Sequence, residues 1–129
     1  MKRLNPWFEL SREDWRTAEW TLQEKIFNQT CFHSQQGVEK ILKGVLFEKG
    51  RDIPKTHHLS ELLTLCEKHF PALGNFREEC LLLDRYYIPT RYPDALPGSL
   101  PEGLPSMEDA KKALDTFQHL RMVVIPPSL

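Results

Sequence analysis

Five prolines, Pro89, Pro93, Pro97, Pro101 and Pro105, recur every four residues in the stretch IPTRYPDALPGSLPEGLP, and this spacing constrains the fold more than any other feature of the chain. Proline lacks the N–H a helix needs and pushes the residue before it out of the helical region, so no helix crosses this stretch. Whatever is helical lies before Pro89 or after Pro105. Leu96, Leu100 and Leu104 each precede a proline, so the stretch sets apolar side chains at regular intervals on an extended backbone and is expected to be an ordered strap across the flanking segments.

Ahead of the prolines, the apolar residues follow helical spacing. Cys31, Gln35, Val38, Leu42 and Val45 recur at intervals of three and four, with Ile41 and Leu46 widening the stripe. This predicts a central helix from Cys31 to Gly50, roughly 30 Å long at about 1.5 Å per residue. Gly50 suits its left-handed end. Gly37 and Gly44 lie seven residues apart within it. An interior glycine costs about 1 kcal/mol relative to alanine, so the pair implies close approach by another backbone, within the bundle or across a dimer. A first helix is expected to begin at Ser11, with Asp14 completing a capping box, and to carry Trp15, Ala18, Leu22 and Ile26 on one stripe before Asn28 to Thr30 breaks it. Trp20 falls off that stripe and hints at a second buried face.

Thr56 can cap a third helix with Leu59, Leu62, Leu63, Cys66 and Phe70 on its apolar side, stopped by Pro71. Asn75 and Glu78 resemble another capping box, for a fourth helix with Leu73, Phe76, Cys80, Leu83 and Tyr87 on its stripe and an end before Pro89. Behind the prolines, Ser106 and Asp109 begin a fifth helix with Ala110, Leu114 and Phe117 on one stripe and Ala113, Leu120 and Val124 beside it. No strand signal competes. The expected architecture is all-α: an up-and-down four-helix bundle with a fifth C-terminal helix after the Pro-rich loop, forming a single domain over residues 1–129.

With 17 Lys and Arg against 18 Asp and Glu, the net charge of -1 gives no global electrostatic case for nucleic acid or an anionic membrane. No apolar run approaches a membrane span and the N-terminus lacks the apolar core of a signal peptide, so a cytoplasmic location is expected. Cys31, Cys66 and Cys80 fall within apolar helical patterns, which suits buried thiols. Cys66 and His69 have metal-like spacing, but no fourth ligand is evident and no metal or other cofactor is expected.

Two clusters carry chemistry. In the first, Arg85, Tyr86, Tyr87, Arg91, Tyr92 and Asp94 combine guanidiniums that clamp phosphate with rings that stack on a base, which points to a nucleotide or an RNA end. The same residues also have a structural reading, with Tyr87 in the core and Arg91 paired to Asp94. In the second, Lys40 and His57 could converge on an anion at the start of the third helix, where free N–H groups attract negative charge. Beside them, Glu39 and Lys43 read as an exposed helical ion pair.

Once these helices are placed, the central FHSQQGVEKILKGVLFEKG, the following PKTHHLSELL and the stretch LLLDRYYIPTRYPDA together resemble the HEPN domain family of prokaryotes and higher eukaryotes. The resemblance rests on Phe32, Gln35, Gln36, Glu39, Lys40 and Lys43; on Thr56, His57 and Leu59; and on Asp84, Tyr86, Tyr87, Thr90, Arg91, Tyr92, Pro93 and Asp94. It implies a helical bundle that forms a homodimer, a role in nucleotide binding, and a toxin-antitoxin setting with a separately encoded minimal nucleotidyltransferase as partner. Many members of the family are metal-independent ribonucleases that carry an arginine and a histidine a few residues apart near the end of the fourth helix. This chain departs from that pattern, since no histidine follows Arg85 or Arg91 until His119. The resemblance therefore favours a non-catalytic nucleotide- or partner-binding module. The alternatives are a ribonuclease using His57 or a tyrosine, and a ligand-free dimeric scaffold built on the Gly37 and Gly44 face.

Overall fold

The computed structural model describes residues 4–87 and 96–125. It contains helices α1 (Pro6–Gln23), α2 (Phe27–Glu48), α3 (Leu59–Glu67), α4 (Arg77–Asp84) and α5 (Met107–Val124), with a 3₁₀ helix at Pro71–Phe76. Among the described residues the only β feature is an isolated bridge between Leu100 and Gly103. The all-α fold is as the spacing predicts, and α2 is its centre: Cys31, Gln35, Val38, Ile41 and Leu42 are wholly buried. No helix among the described residues is long and apolar enough to cross a membrane.

Several boundaries differ from the sequence expectation. α1 begins at Pro6, because the Asn5 side chain accepts hydrogen bonds from the Trp7 and Phe8 amides and Pro6 needs no partner in the first turn. Ser11 and Asp14 are therefore inside the helix. The Ser11 hydroxyl donates to the Phe8 carbonyl, and Asp14 is buried against α2. The chain turns at Lys25, whose φ is 62°, and Asn28 to Thr30 already belong to α2. The Thr30 and Thr21 hydroxyls lie 2.9 Å apart across that turn. Trp20 is exposed, so α1 has no second buried face there.

α1 and α2 are antiparallel: Asn5 reaches the Gly44 carbonyl, Asp14 reaches Lys40 and His33, and Thr21 reaches Thr30. The connector after α2 turns back along it. The Arg51 amide donates to the Leu46 carbonyl, His57 lies over Gln35 and Glu39, and the Cys66 thiol reaches the Leu42 carbonyl. α3 thus runs in the same direction as α2. α4 returns beside α3, with Arg77 ion-paired to Glu67 and Asp84 beside Leu59.

Gly37 and Gly44 do admit a close neighbour, but it is neither a backbone nor a second chain. A β-carbon on Gly37 would sit 2.1 Å from Cζ of Phe117, and one on Gly44 would sit 2.3 Å from Cε1 of Phe8. Aromatic rings from α5 and α1 fill both notches, which removes them as a dimer face. Trp15 packs edge-on against Phe117 at 5.2 Å, so one aromatic pair joins α1 and α5 over α2.

The described part of the Pro-rich segment is fixed at three points. The Asn28 side chain donates to the Pro97 carbonyl, Leu100 packs on the core, and Arg85 pairs with Glu102. Leu96 and Leu104, expected to pack likewise, are 57% and 64% exposed. Ser106 and Asp109 form the capping box of α5 as expected.

Candidate functional site

The polar residues of the α2 motif are held by α1 on one side and by the connector after α2 on the other. Glu39 and Lys43, expected to be an exposed pair, are 4% and 6% exposed and form an ion pair at 3.1 Å. The Trp7 ring lies over the Lys43 ammonium at 5.6 Å and the connector covers Glu39, which is why a surface pair becomes a buried one. Both Glu39 oxygens are 3.2 Å from Nδ1 of His57. The His57 ring in turn stacks on Tyr87, with centroids 4.9 Å apart and planes 22° from parallel.

The amides ahead of Glu39 explain the His57 position. Gln35 is wholly buried and donates from Nε2 to the His57 carbonyl, while Gln36 donates to Oε1 of Gln35 at 2.7 Å. A histidine in a connector is thereby held at its backbone by one turn of α2 and at its ring by the next. Thr56 accepts the His58 amide but does not cap α3. That function falls to Asp84, whose carboxylate accepts from the Leu59 and Ser60 amides at 2.8 and 3.3 Å. Burial raises the Asp84 pKa above its ordinary 3.8, against the opposing pull of those two amides.

Lys40 and His57 do not converge on a shared anion site. Lys40 turns to α1 and pairs with Asp14, which also takes His33 at 2.8 Å, while His57 turns to the connector side and pairs with Glu39. Each of the two side chains already has a buried carboxylate of its own. Asp14, expected from its spacing to cap a helix, is instead the shared partner of Lys40 and His33.

The first cluster separates because α4 stops at Asp84 and its next residues diverge. Arg85 is exposed and joins Glu102 at 2.8 Å, at a cleft of about 250 Å³ between α4 and α5 that Lys112 and Asp109 also line. Tyr86, not Tyr87, enters the core, where its hydroxyl is hydrogen-bonded with the Cys31 thiol and burial raises its pKa above the tyrosine range. Burial likewise pushes the Cys31 thiol up to about 12. Tyr87 is half-buried on His57. Arg91, Tyr92 and Asp94 lie outside the described residues.

A half-exposed aromatic stack backed by a buried carboxylate can do two things. Its faces can accept another planar ring, and its imidazole edge can take a hydrogen bond or a proton. Among the described residues no group of three or more His, Cys, Asp or Glu is placed to hold a metal ion.

Among curated proteins none is significantly similar in sequence. Solved structures do match. An archaeal HEPN homologue is 30% identical over 95% of this chain and 96% of its own, with a TM-score of 0.71. A protein of Thermus thermophilus is 31% identical over 96% of this chain and 97% of its own, with a TM-score of 0.77. The HEPN domain model matches residues 4–125, and the chain belongs to the HEPN domain family.

Proposed function

We propose that this chain is a non-catalytic nucleotide-binding module that works as a homodimer in the cytoplasm with a separately encoded minimal nucleotidyltransferase, in a toxin-antitoxin setting. The observation that carries the reading is the His57 and Tyr87 stack, half-exposed and held in place by Glu39 and Gln35. A preorganised pair of rings offers a base a stacking surface at little ordering cost. Arg91, Tyr92 and Asp94 follow Tyr87 within seven residues of sequence and are the proposed phosphate and base contacts. Arg85 gives one nitrogen to Glu102, an exposed ion pair of a kind worth about 0–1 kcal/mol, and its other donors are proposed to add a phosphate contact. The test is a nucleotide panel read by thermal shift and calorimetry. One nucleotide is expected to raise the midpoint, with the effect lost in His57→Ala and in Arg91→Ala; no shift from any nucleotide at millimolar concentration would reject the reading.

A metal-independent ribonuclease is the second reading, favoured by one observation. A carboxylate on Nδ1 is the arrangement that fixes an imidazole for general acid-base work. Reproducible RNA cleavage in chelator that vanishes in His57→Ala would establish it in place of the first.

A further inference from the structure

Nδ1 of His57 faces a carboxylate that is buried and ion-paired to Lys43, and a carboxylate so placed only accepts hydrogen bonds. The proton of a neutral imidazole must therefore sit on Nδ1, which leaves a lone pair on Nε2. A half-turn of the ring would put a carbon, Cδ2, where Nδ1 meets Glu39 and so lose that contact, while Gln35 holds the backbone beneath it. His57 nevertheless keeps 47% of its side chain exposed, and Nε2 has no hydrogen-bond partner among the described residues. The result is a hydrogen-bond acceptor of fixed direction at the edge of a stacking surface.

An acceptor discriminates among the parts of a nucleotide. Phosphate oxygens, ring nitrogens without hydrogen and base carbonyls are themselves acceptors and are rejected; ribose hydroxyls, exocyclic amines and the ring N–H groups of uracil and guanine are donors. The ring faces serve stacking, so the group that meets the edge comes from beside the base, where the sugar lies. We propose that His57 reads a ribose hydroxyl through Nε2 and so selects ribonucleotides over their deoxy counterparts, with Glu39 as the positioning residue that sets the tautomer. This inference rests on the nucleotide-binding reading above and adds the sugar to it.

The experiment is calorimetric titration of the intact protein with AMP and UMP and with the 2′-deoxy and 3′-deoxy forms of each. One hydrogen bond corresponds to roughly a three- to tenfold difference in affinity. The ribose forms are expected to bind tighter by that factor than one of the two deoxy forms, for both bases. In His57→Phe, which keeps a ring on Tyr87 but offers no acceptor, the ratio is expected to fall to one. Glu39→Gln should lower it as well, because an amide can face Nδ1 in either tautomer. His57 is exposed, so the phenylalanine variant remains decisive if the buried Glu39→Gln variant fails to fold.

Equal affinity for ribose and deoxy forms in the wild type overturns the inference and leaves the nucleotide-binding reading standing. A preference seen with AMP but not with UMP, which has no exocyclic amine, overturns it too. Binding of none of the six compounds overturns the inference, and the nucleotide-binding reading falls with it only when the full nucleotide panel also gives no thermal shift.

Discussion

Phe117 occupies the space that a side chain at Gly37 would need, with three ring carbons within 2.7 Å of where a β-carbon would stand. Phe117 is wholly buried and wedged against Trp15, so it has little room to retreat. Gly37→Ala should therefore destabilise the fold by about 1–3 kcal/mol from overpacking, although alanine is the better helix former by about 1 kcal/mol. Urea unfolding checks the sign. Combining it with Phe117→Leu should cost less than the sum of the two single changes, since both act on one shared volume.

The buried Glu39 and Lys43 pair predicts an asymmetry between breaking and replacing. Lys43→Met leaves Glu39 in the interior without its cation and should cost about 3–5 kcal/mol. Adding Glu39→Leu to that variant removes the stranded charge and should recover much of the loss, while abolishing any function that depends on a fixed His57. Denaturant midpoints of the single and double variants, read with nucleotide binding, separate stability from positioning.

Asp84 should show an inverted pH dependence. Its native pKa lies above the unfolded 3.8, so the folded state holds the proton more tightly. The stability that this protonation confers is fully present below 3.8 and is lost as pH rises through the raised native value. Most carboxylates in folded proteins act in the opposite sense. Asp84→Asn should remove this slope when wild-type and variant unfolding are compared across the acid range. It should also cost roughly 1 kcal/mol at neutral pH, because the Leu59 and Ser60 amides bond to separate carboxylate oxygens and asparagine puts an NH2 donor in place of one of them.

The three cysteines should be inert in the folded protein. Burial pushes the Cys31, Cys66 and Cys80 thiols up to about 12, so almost no thiolate exists at neutral pH and access is closed as well. Alkylation followed by mass spectrometry is expected to label none of them in native buffer and all of them in denaturant. Rapid native labelling of Cys66 would mean that α3 opens readily.

What the sequence reveals and what it conceals follow the range of the forces involved. The buried stripe of α2, from Cys31 through Val45, is periodic and local, so spacing alone identifies it. The Ser106 and Asp109 box is equally local. Asp14 is different: its placement three residues after Ser11 looks like a cap, yet its partners are Lys40 and His33 on another helix. Asp84 caps a helix that begins far earlier in the chain, and no nearby residue signals it. The choice of Tyr86 over Tyr87 for the core turns on where α4 ends, and spacing extrapolated through that end selects the wrong tyrosine. At the candidate site, the motif residues Gln35, Glu39, Lys40, Lys43 and His57 are legible as a set. Which of them pair with one another is decided by the returning connector and by α1, and that cannot be read from their spacing.

The Asp84 cap also imposes an order in time on a chain that is made from its N-terminus. Asp84 lies 25 residues after Leu59, whose amide it accepts. At about 5–20 residues per second, synthesis leaves the start of α3 waiting on the order of one to five seconds for its partner. During that interval water must satisfy the Leu59 and Ser60 amides. His57 lies two residues upstream of Leu59, and its perch on Tyr87 cannot form before α4 has been translated. The newborn chain therefore completes its candidate site only after the helix that follows it, however early the central helix has formed.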